Sequence, residues 1–390
     1  MRTTWPEGVE GMLSPSDQGC LLLADISGYT GYLAGSELDH AQNVLADLIE
    51  TVIRGLRPMF KLAKLEGDAA FAYTVTAQID GSMLLDTIEK CYFGFRRRLD
   101  GIVRATTCPC NACRQIPSLN LKFFVHHGEF ARHKVAGREE FTGTDVIVVH
   151  RLLKNSVAEA LGLRGYAWLT AACVAAAGVD PVTLGMREHR ETYEHIGEIA
   201  GYVHDLETRW EDDQAHHRAY VSPAEADPEL VFHFPAEPEV VWDYLTSPKR
   251  WKWMPGMTGF SQVTTGGRRG TGTVNHCAHG ETVIIEEILD WRPFQYVTLK
   301  STMPGIGEIV ETMELEPEDG GTRLVWRRRR ERSRKAQAAW TTAAQPTLQF
   351  FQAAMARLAE VLVDEREAAA DEERKATLPA GHEEHSAEPG

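Results

Sequence analysis

The stretch Cys20-Leu21-Leu22-Leu23-Ala24-Asp25-Ile26-Ser27-Gly28-Tyr29-Thr30 decides how this chain is read. It is an apolar run of strand length that stops at a carboxylate, and the small residues after it permit a turn. Ser36 is placed to cap the helix that follows. Leu38, Val44, Leu45, Leu48, Ile49, Val52, Ile53 and Leu56 recur there at three- and four-residue spacing, one buried stripe that ends near Gly55 and Pro58. Met59 to Leu65, Gly67-Asp68 and Ala69 to Val75 then read as two strands joined by a tight turn with Asp68 at its tip. As neighbours in one sheet, Asp25 and Asp68 would bind divalent cations side by side. Mg²⁺ favours one or two protein carboxylates completed by phosphate oxygens, which suits a nucleoside triphosphate. Asp after a strand and Gly-Asp in a hairpin are also ordinary turn chemistry, so spacing alone leaves both readings open.

Outward from this core, Met83 to Ile102 predicts a second amphipathic helix, Leu119 to His127 a strand, Val146 to Leu153 an apolar run, and Ala167 to Ala177 a third helix. The interleaving continues to about Leu206 and indicates one sandwich of sheet and helices. Glu211 to Asp227 is polar and charged and is the linker candidate. Beyond it come a strand (Leu230 to Phe234), a helix (Glu237 to Leu245) and alternating segments at Gly272 to Val274, Glu281 to Leu289, Tyr296 to Ser301, Glu308 to Leu315 and Thr322 to Arg330. Turn formers such as Gly266-Gly267 and Asp319-Gly320-Gly321 separate these segments, as in an antiparallel meander. A helix over about Gln345 to Asp364 closes the second unit with Leu348, Phe351, Met355, Leu358 and Leu362 on one face.

At 390 residues and 43% hydrophobic content the chain has room for two or three domains with ordinary cores. The 41 basic against 56 acidic residues give a net charge of −15, which argues against a nucleic-acid binder that neutralises phosphates. Nine acidic and three basic residues from Asp364 to Gly390 make a solvated tail. Met1 to Gln18 lacks a leader pattern and no window is apolar enough to span a bilayer, so the expectation is a cytoplasmic protein without a membrane span. Cys20, Cys91, Cys108, Cys110, Cys113, Cys173 and Cys277 are an odd set, three of them within six residues, unlike a secreted disulfide framework.

Ala24-Asp25-Ile26-Ser27-Gly28-Tyr29-Thr30 and Lys64-Leu65-Glu66-Gly67-Asp68 resemble the two metal-binding motifs of class III nucleotide cyclases, Asp-Ile-x-Gly-Phe-Thr and Lys-x-x-Gly-Asp, in the right order. The likeness extends over roughly residues 18 to 206. It implies that Asp25 and Asp68 hold two Mg²⁺ or Mn²⁺ ions and that Lys64 contacts the base. A later segment, Gly143-Thr144-Asp145-Val146-Ile147-Val148-Val149-His150-Arg151, is similar to Gly-x-x-Val-Asn-x-x-x-Arg. By that likeness Arg151 steadies the transferring phosphate. Glu140 takes the second base-reading position, and Ile147 stands where the family has a ribose-orienting Asn. Such cyclases assemble the site between two chains, so a homodimer is implied.

Cys108-Pro109-Cys110-Asn111-Ala112-Cys113 has a spacing that converges on one Zn²⁺, with Cys91 and one of His126 or His127 as candidates for the fourth ligand; free thiols are the alternative. With this loop the first domain looks like an uncharacterised bacterial branch of cyclase-like domains. Leu230 to about Asp364 resembles the SRPBCC (START-like, polyketide cyclase/lipid-transport) superfamily through Glu237-Pro238-Glu239-Val240-Val241-Trp242-Asp243-Tyr244-Leu245-Thr246-Ser247-Pro248 and Gly320-Gly321-Thr322-Arg323-Leu324-Val325-Trp326-Arg327. The resemblance implies an apolar cavity for a hydrophobic or aromatic small molecule, with Trp251, Trp253, Met254, Met257, Phe260, Phe350, Phe351 and Met355 as lining candidates or, residue by residue, plain core. His276 and His279, with Glu281, invite an acid/base reading, but His276, Cys277 and His279 fall around an expected turn and the two histidines read as solvent-exposed. The run Arg327 to Arg330 reads as a solvated edge strand.

The expected fold class is α+β: an N-terminal ferredoxin-like, cyclase-type sandwich over 18–208, a linker over 209–228, a C-terminal helix-grip sheet wrapped on a long helix over 229–365, and a disordered acidic tail over 366–390. The expected function is nucleotidyl cyclisation, with a hydrophobic effector bound by the second domain. The alternative is an inactive cyclase-fold dimerisation module joined to a ligand carrier.

Overall fold

A computed structural model describes residues 16–34, 38–105, 114–215, 218–303, 306–331 and 333–377. The fold is mixed α+β, with two sheets in two compact units. Unit 1 comprises 1–218 together with the strip 264–270, and unit 2 comprises 219–263 and 271–390.

Unit 1 runs β1 (Asp17–Ser27), α1 (Tyr29–Ala34), α2 (Leu38–Leu56), β2 (Lys61–Glu66), β3 (Ala69–Tyr73), α3 (Gly81–Ala105), β4 (Asn120–Val135), β5 (Arg138–Thr142), α4 (Thr144–Arg151), α5 (Val157–Leu161), β6 (Tyr166–Thr170), α6 (Ala171–Ala177), β7 (Arg187–Tyr193), β8 (Gly197–Asp205) and α7 (Leu206–Ala215). The sheet order is β2-β3-β1-β4-β6-β8-β7, with β5 paired to β4; β4 and β6 are parallel. Strand residues alternate faces, and this sheet is covered on both. Cys20, Leu22 and Ala24 join the core under α2, α3 and α6, whereas Leu21 and Leu23 pack with Val146 and Val149 of α4. Two-sided burial is why β1 reads as an unbroken apolar run rather than an alternating one.

The apolar stretch from Ala167, read as helix from its first residue, divides at Thr170. Tyr166–Thr170 is a fully buried strand, and Thr170 caps α6 by accepting from Cys173 N–H at 3.3 Å. Val146 to Leu153 is largely helical, as α4. The polar stretch from Glu211 is not free chain either: α7 runs to Ala215, and Val221 N–H donates to Thr312 Oγ1 at 3.0 Å within unit 2.

The strip 264–270 is bound into unit 1 by charge. Arg268 donates to Glu89 at 2.9 and 2.8 Å and to Asp86 at 2.8 Å, and Arg269 donates to Asp80 at 2.8 Å. Glu89 also accepts from His204 at 2.8 Å and Arg209 at 3.0 Å. The backbone turns closely there. Gly267 has φ +77, and a Cβ on it would meet the Gly178 carbonyl at 2.5 Å.

Unit 2 contains β9 (Ala226–Phe234), α8 (Pro238–Thr246), β10 (Gly259–Val263), β11 (Val274–His279), β12 (Thr282–Arg292), β13 (Tyr296–Met303), β14 (Gly307–Glu318), β15 (Gly321–Arg329) and α9 (Arg334–Thr377). Its antiparallel sheet has the order β10-β11-β12-β13-β14-β15-β9, and the long helix closes it in a START-like arrangement. The basic run is therefore not an edge. β15 lies between β14 and β9, Arg327 pairs with Glu229 and Glu314, and the buried Arg328 stacks on Trp340 at 3.9 Å. The helix continues through residues placed in the expected tail, as far as Thr377, and 378–390 lie outside the described residues. His276 and His279 belong to β11 rather than to a turn; His276 is exposed, whereas His279 is half-buried against the Pro255 carbonyl at 3.1 Å.

Candidate functional site

Asp25 stands near the end of β1, opposite Ala69 of β3 on one side and Lys122 of β4 on the other. Asp68 occupies the β2–β3 turn, where Gly67 takes φ +70 and lets the hairpin close. Ile26 N–H donates to the Asp68 carbonyl at 3.3 Å, which ties the turn to the strand that carries Asp25. The two carboxylates feel each other. Burial and then the charge of Asp68 push Asp25 up to about 6, against the opposing pull of Lys122. Burial likewise raises Asp68. A pair of partly buried acids held together at an energetic cost is what a bound cation relieves.

No group of three or more His, Cys, Asp or Glu that could hold a metal ion occurs among the described residues. Mg²⁺ or Mn²⁺ takes its other ligands from phosphate and water.

Lys64 on β2 lies 3.1 Å from Glu66 and 3.8 Å from Glu140 in the middle of β5. Glu66 is in turn 3.1 Å from His150 Nε2, whose Nδ1 donates to the Val146 carbonyl at 2.7 Å. Burial alone would raise Glu66, but hydrogen bonds from His150 and Lys64 outweigh it and hold the carboxyl below its usual range. Glu66 and His150 were not singled out in the sequence; their only signal is position, between Lys64 and Asp68 and directly before Arg151. Arg151 itself is exposed at the end of α4 and makes no ion pair among the described residues. Within one chain, then, the charge of Asp68 reaches Asp25 and Lys64 lies 3.8 Å from Glu140, while Arg151 joins neither pair. Ile147 is 54% exposed, an apolar side chain at the surface of α4. Beside this region an apolar groove of about 430 Å³ is lined by Tyr29, Leu33, Leu45, Ile49, Ile53 and Leu65.

The zinc expectation gains no support. Cys108, Cys110 and Cys113 lie outside the described residues. Cys91 is packed in the core of α2 and α3, donates to the Val52 carbonyl at 3.5 Å and is pushed up to about 12 by burial, the opposite of a metal thiolate. His126 is bonded to Thr170 at 2.9 Å and Asp145 at 3.0 Å, and His127 to the Thr76 carbonyl at 3.3 Å.

In unit 2, Trp253 and Met355 are buried and Phe351 is half-buried against Phe232 and Trp326, whereas Trp251 is 65% exposed and lines no interior. Trp253 Nε1 is spent on the Tyr244 carbonyl at 2.9 Å. Sequence reasoning missed Arg250, Glu286 and Glu311, which are buried together on the inner side of the sheet.

Residues 45–160 match a family described only as a protein of unknown function, DUF2652, and residues 226–363 match the family of polyketide cyclase/dehydrase and lipid transport proteins. Over 113 residues the chain is 42% identical to an uncharacterized protein of Mycobacterium tuberculosis, Rv2561/Rv2562, a match covering 29% of this chain and 52% of that protein. The chain thus spans about half the length of this curated relative. Similar solved structures include the guanylyl cyclase Cya2 (12% identity, 49% of this chain, 93% of that one, TM-score 0.38). They also include the adenylyl cyclase CyaB from P. aeruginosa (12%, 50% and 97%, TM-score 0.34) and protein Ms6760 from Mycobacterium smegmatis (13%, 38% and 98%, TM-score 0.30). These TM-scores are low, and no functional argument rests on them. No helix among the described residues is long and apolar enough to cross a membrane.

Proposed function

We propose that unit 1 is a divergent nucleotidyl cyclase that converts a nucleoside triphosphate to a cyclic nucleotide and pyrophosphate at a homodimer interface, and that unit 2 binds a hydrophobic or aromatic small molecule. The observation that supports it is the Asp25 carboxyl raised to about 6 by burial and by the charge of Asp68, whose turn is tied to β1 through Ile26 N–H. Two Mg²⁺ or Mn²⁺ ions, when bound, would supply charge neutralisation of the triphosphate and activation of the ribose 3′ hydroxyl. Asp25 and Asp68 anchor the triphosphate end. Lys64, ion-paired with Glu66 and Glu140, presents an ammonium for the base. Arg151, exposed and free of an internal partner among the described residues, is available to a second copy, where its guanidinium would offset charge developing on the transferred phosphoryl group.

Purified full chain incubated with ATP or GTP and Mn²⁺ should release cyclic product and pyrophosphate in equal amounts. Asp25→Asn or Asp68→Asn should remove at least about 99% of that release. A dimeric wild type that makes no product from either nucleotide overturns catalysis.

A second reading has one observation in its favour. Ile147, at the position of the ribose-orienting Asn, has no hydrogen-bonding group, and losing one positioning contact costs orders of magnitude when catalysis depends on alignment. Unit 1 would then be a dimerisation module joined to a small-molecule carrier. Saturable nucleotide binding without turnover identifies that case.

A further inference from the structure

β2 departs from the ordinary alternation of a strand at Ala63. It pairs with β3 as Lys61 opposite Tyr73 and Leu62 opposite Ala72, passes over Ala63, and resumes as Lys64 opposite Phe71, Leu65 opposite Ala70 and Glu66 opposite Ala69. Tyr73, Phe71 and Ala69 belong to the core shared with Val146 and Val149 of α4, whereas Ala72 and Ala70 belong to the core under α2. Directly opposed residues share a face of the sheet, so an unbroken strand would send Lys64 and Glu66 to the α2 side with Leu62. The extra residue turns both toward α4 and leaves Leu65 to line the groove with Tyr29, Leu33 and Ile53.

On the α4 side they meet His150. Its ring stands 4.9 Å from that of Phe71, the residue opposite Lys64. Nδ1 faces the Val146 carbonyl at 2.7 Å and Nε2 faces the Glu66 carboxylate at 3.1 Å. A carbonyl and a carboxylate only accept, so the ring donates from both nitrogens and the bond to Glu66 is charge-assisted. Glu66 holds Lys64 in turn at 3.1 Å, and Glu140 stands 3.8 Å from the same ammonium. An exposed lysine paired with a free carboxylate is held weakly. Here the carboxylate is itself fastened to α4, at the residue directly before Arg151.

We propose that Glu66 and His150 are positioning residues, which lock Lys64 to the helix that carries Arg151 so that the ammonium facing the base and the guanidinium facing the transferred phosphate form one rigid group. This rests on the reading of unit 1 as a metal-dependent nucleotide site, and it adds two residues that act through Lys64 without touching the nucleotide. Losing either weakens the contact with the base and leaves the metal-held phosphates alone.

The test compares ligands that share the phosphates and differ in the nucleoside. The full chain with Mn²⁺ is titrated calorimetrically with inorganic tripolyphosphate, α,β-methylene-ATP and α,β-methylene-GTP. In the wild type at least one analogue should bind about tenfold or more tightly than tripolyphosphate. Glu66→Met, and His150→Phe, which keeps a ring on Phe71, should each cut that ratio by at least about fivefold while tripolyphosphate binding stays within about threefold of wild type, an outcome that a general loss of structure does not give. In a Lys64→Met background Glu66→Met should change the ratio by less than about twofold, because its effect passes through Lys64. A ratio unchanged in either single variant, a further fall of about fivefold in the Lys64→Met background, or equal wild-type binding of tripolyphosphate and both analogues overturns the positioning role and leaves the metal–phosphate site intact. Binding of neither tripolyphosphate nor either analogue overturns both.

Discussion

Replacing Arg268 by Met removes one guanidinium from between two buried carboxylates, Asp86 and Glu89. Asp86 is fully buried and Glu89 nearly so, and Arg268 donates to them at 2.8–2.9 Å. Taking one partner from a buried ion pair costs about 3–5 kcal/mol, because the remaining charge is desolvated and uncompensated. Glu89 keeps Arg209 and His204. For a unit of about this size 1 kcal/mol corresponds to about 2–4 °C, and the unit 1 transition should therefore fall by about 6–20 °C. Differential scanning calorimetry of the full chain at pH 7.5 reads this directly. The penalty should also depend on pH with a defined sign. Asp86 is pushed up to about 6 even with Arg268 present, mainly by burial, and goes higher without it. An acid whose folded pKa lies above its unfolded value is most harmful when ionised, so the penalty is full at pH 7.5 and shrinks as pH falls toward 5. Glu89 shifts the other way, held well below its ordinary range by Arg268 and Arg209 against burial. Its contribution is constant over that window and is lost only in stronger acid. A transition lowered by less than about 3 °C at pH 7.5, or a penalty that grows toward pH 5, would refute the assignment of the strip to this ion cluster.

Other outcomes follow from single groups. Mn²⁺ binding at Asp25 and Asp68 should weaken by about tenfold per pH unit below about 6, as the proton on the raised Asp25 competes with the metal; titration followed by electron paramagnetic resonance would show an affinity flat from pH 5 to 8 if the pair is not the site. Gly55→Ala should lower the urea midpoint although alanine favours helix by about 1 kcal/mol, because the added methyl would stand 2.9 Å from Cys91 Cα and overpacking costs about 1–3 kcal/mol; a raised midpoint contradicts the close approach of α2 and α3. Cys91, buried with its thiol pushed up to about 12, should resist alkylation in the native protein at pH 8, and mass mapping that finds it modified before unfolding would count against its burial.

The helix and strand pattern around Asp25 and Asp68 was legible because local rules suffice there. β1 carries its own apolar run, Gly67 supplies the turn, and α2 keeps a clean stripe from Val44 to Leu56. Reading failed where the deciding partner lies far along the chain. Arg327 and Arg328 look like a solvated edge until β9 pairs with β15 and Glu229 and Glu314 arrive to neutralise Arg327. Glu286 and Glu311 resemble outward-facing strand residues, since a buried acid is recognised only through Arg250, Ser301 and Trp326, contributed by other elements. Ala167 to Ala177 was misjudged for another reason: a fully buried strand and a short buried helix are both uniformly apolar, and only the cap at Thr170 separates them.

The division of the Glu89 cluster along the chain sets an order of events at the ribosome. Arg268 lies 179 residues downstream of Glu89, which at 5–20 residues per second is a wait of about 9–36 s during synthesis. For that interval the nascent front half holds Asp86 and Glu89 without Arg268, and a message cut at codon 218 never delivers it. Completion of this cluster, and the stability it contributes to the amino-terminal half, thereby waits on the ribosome having read well into the carboxy-terminal one.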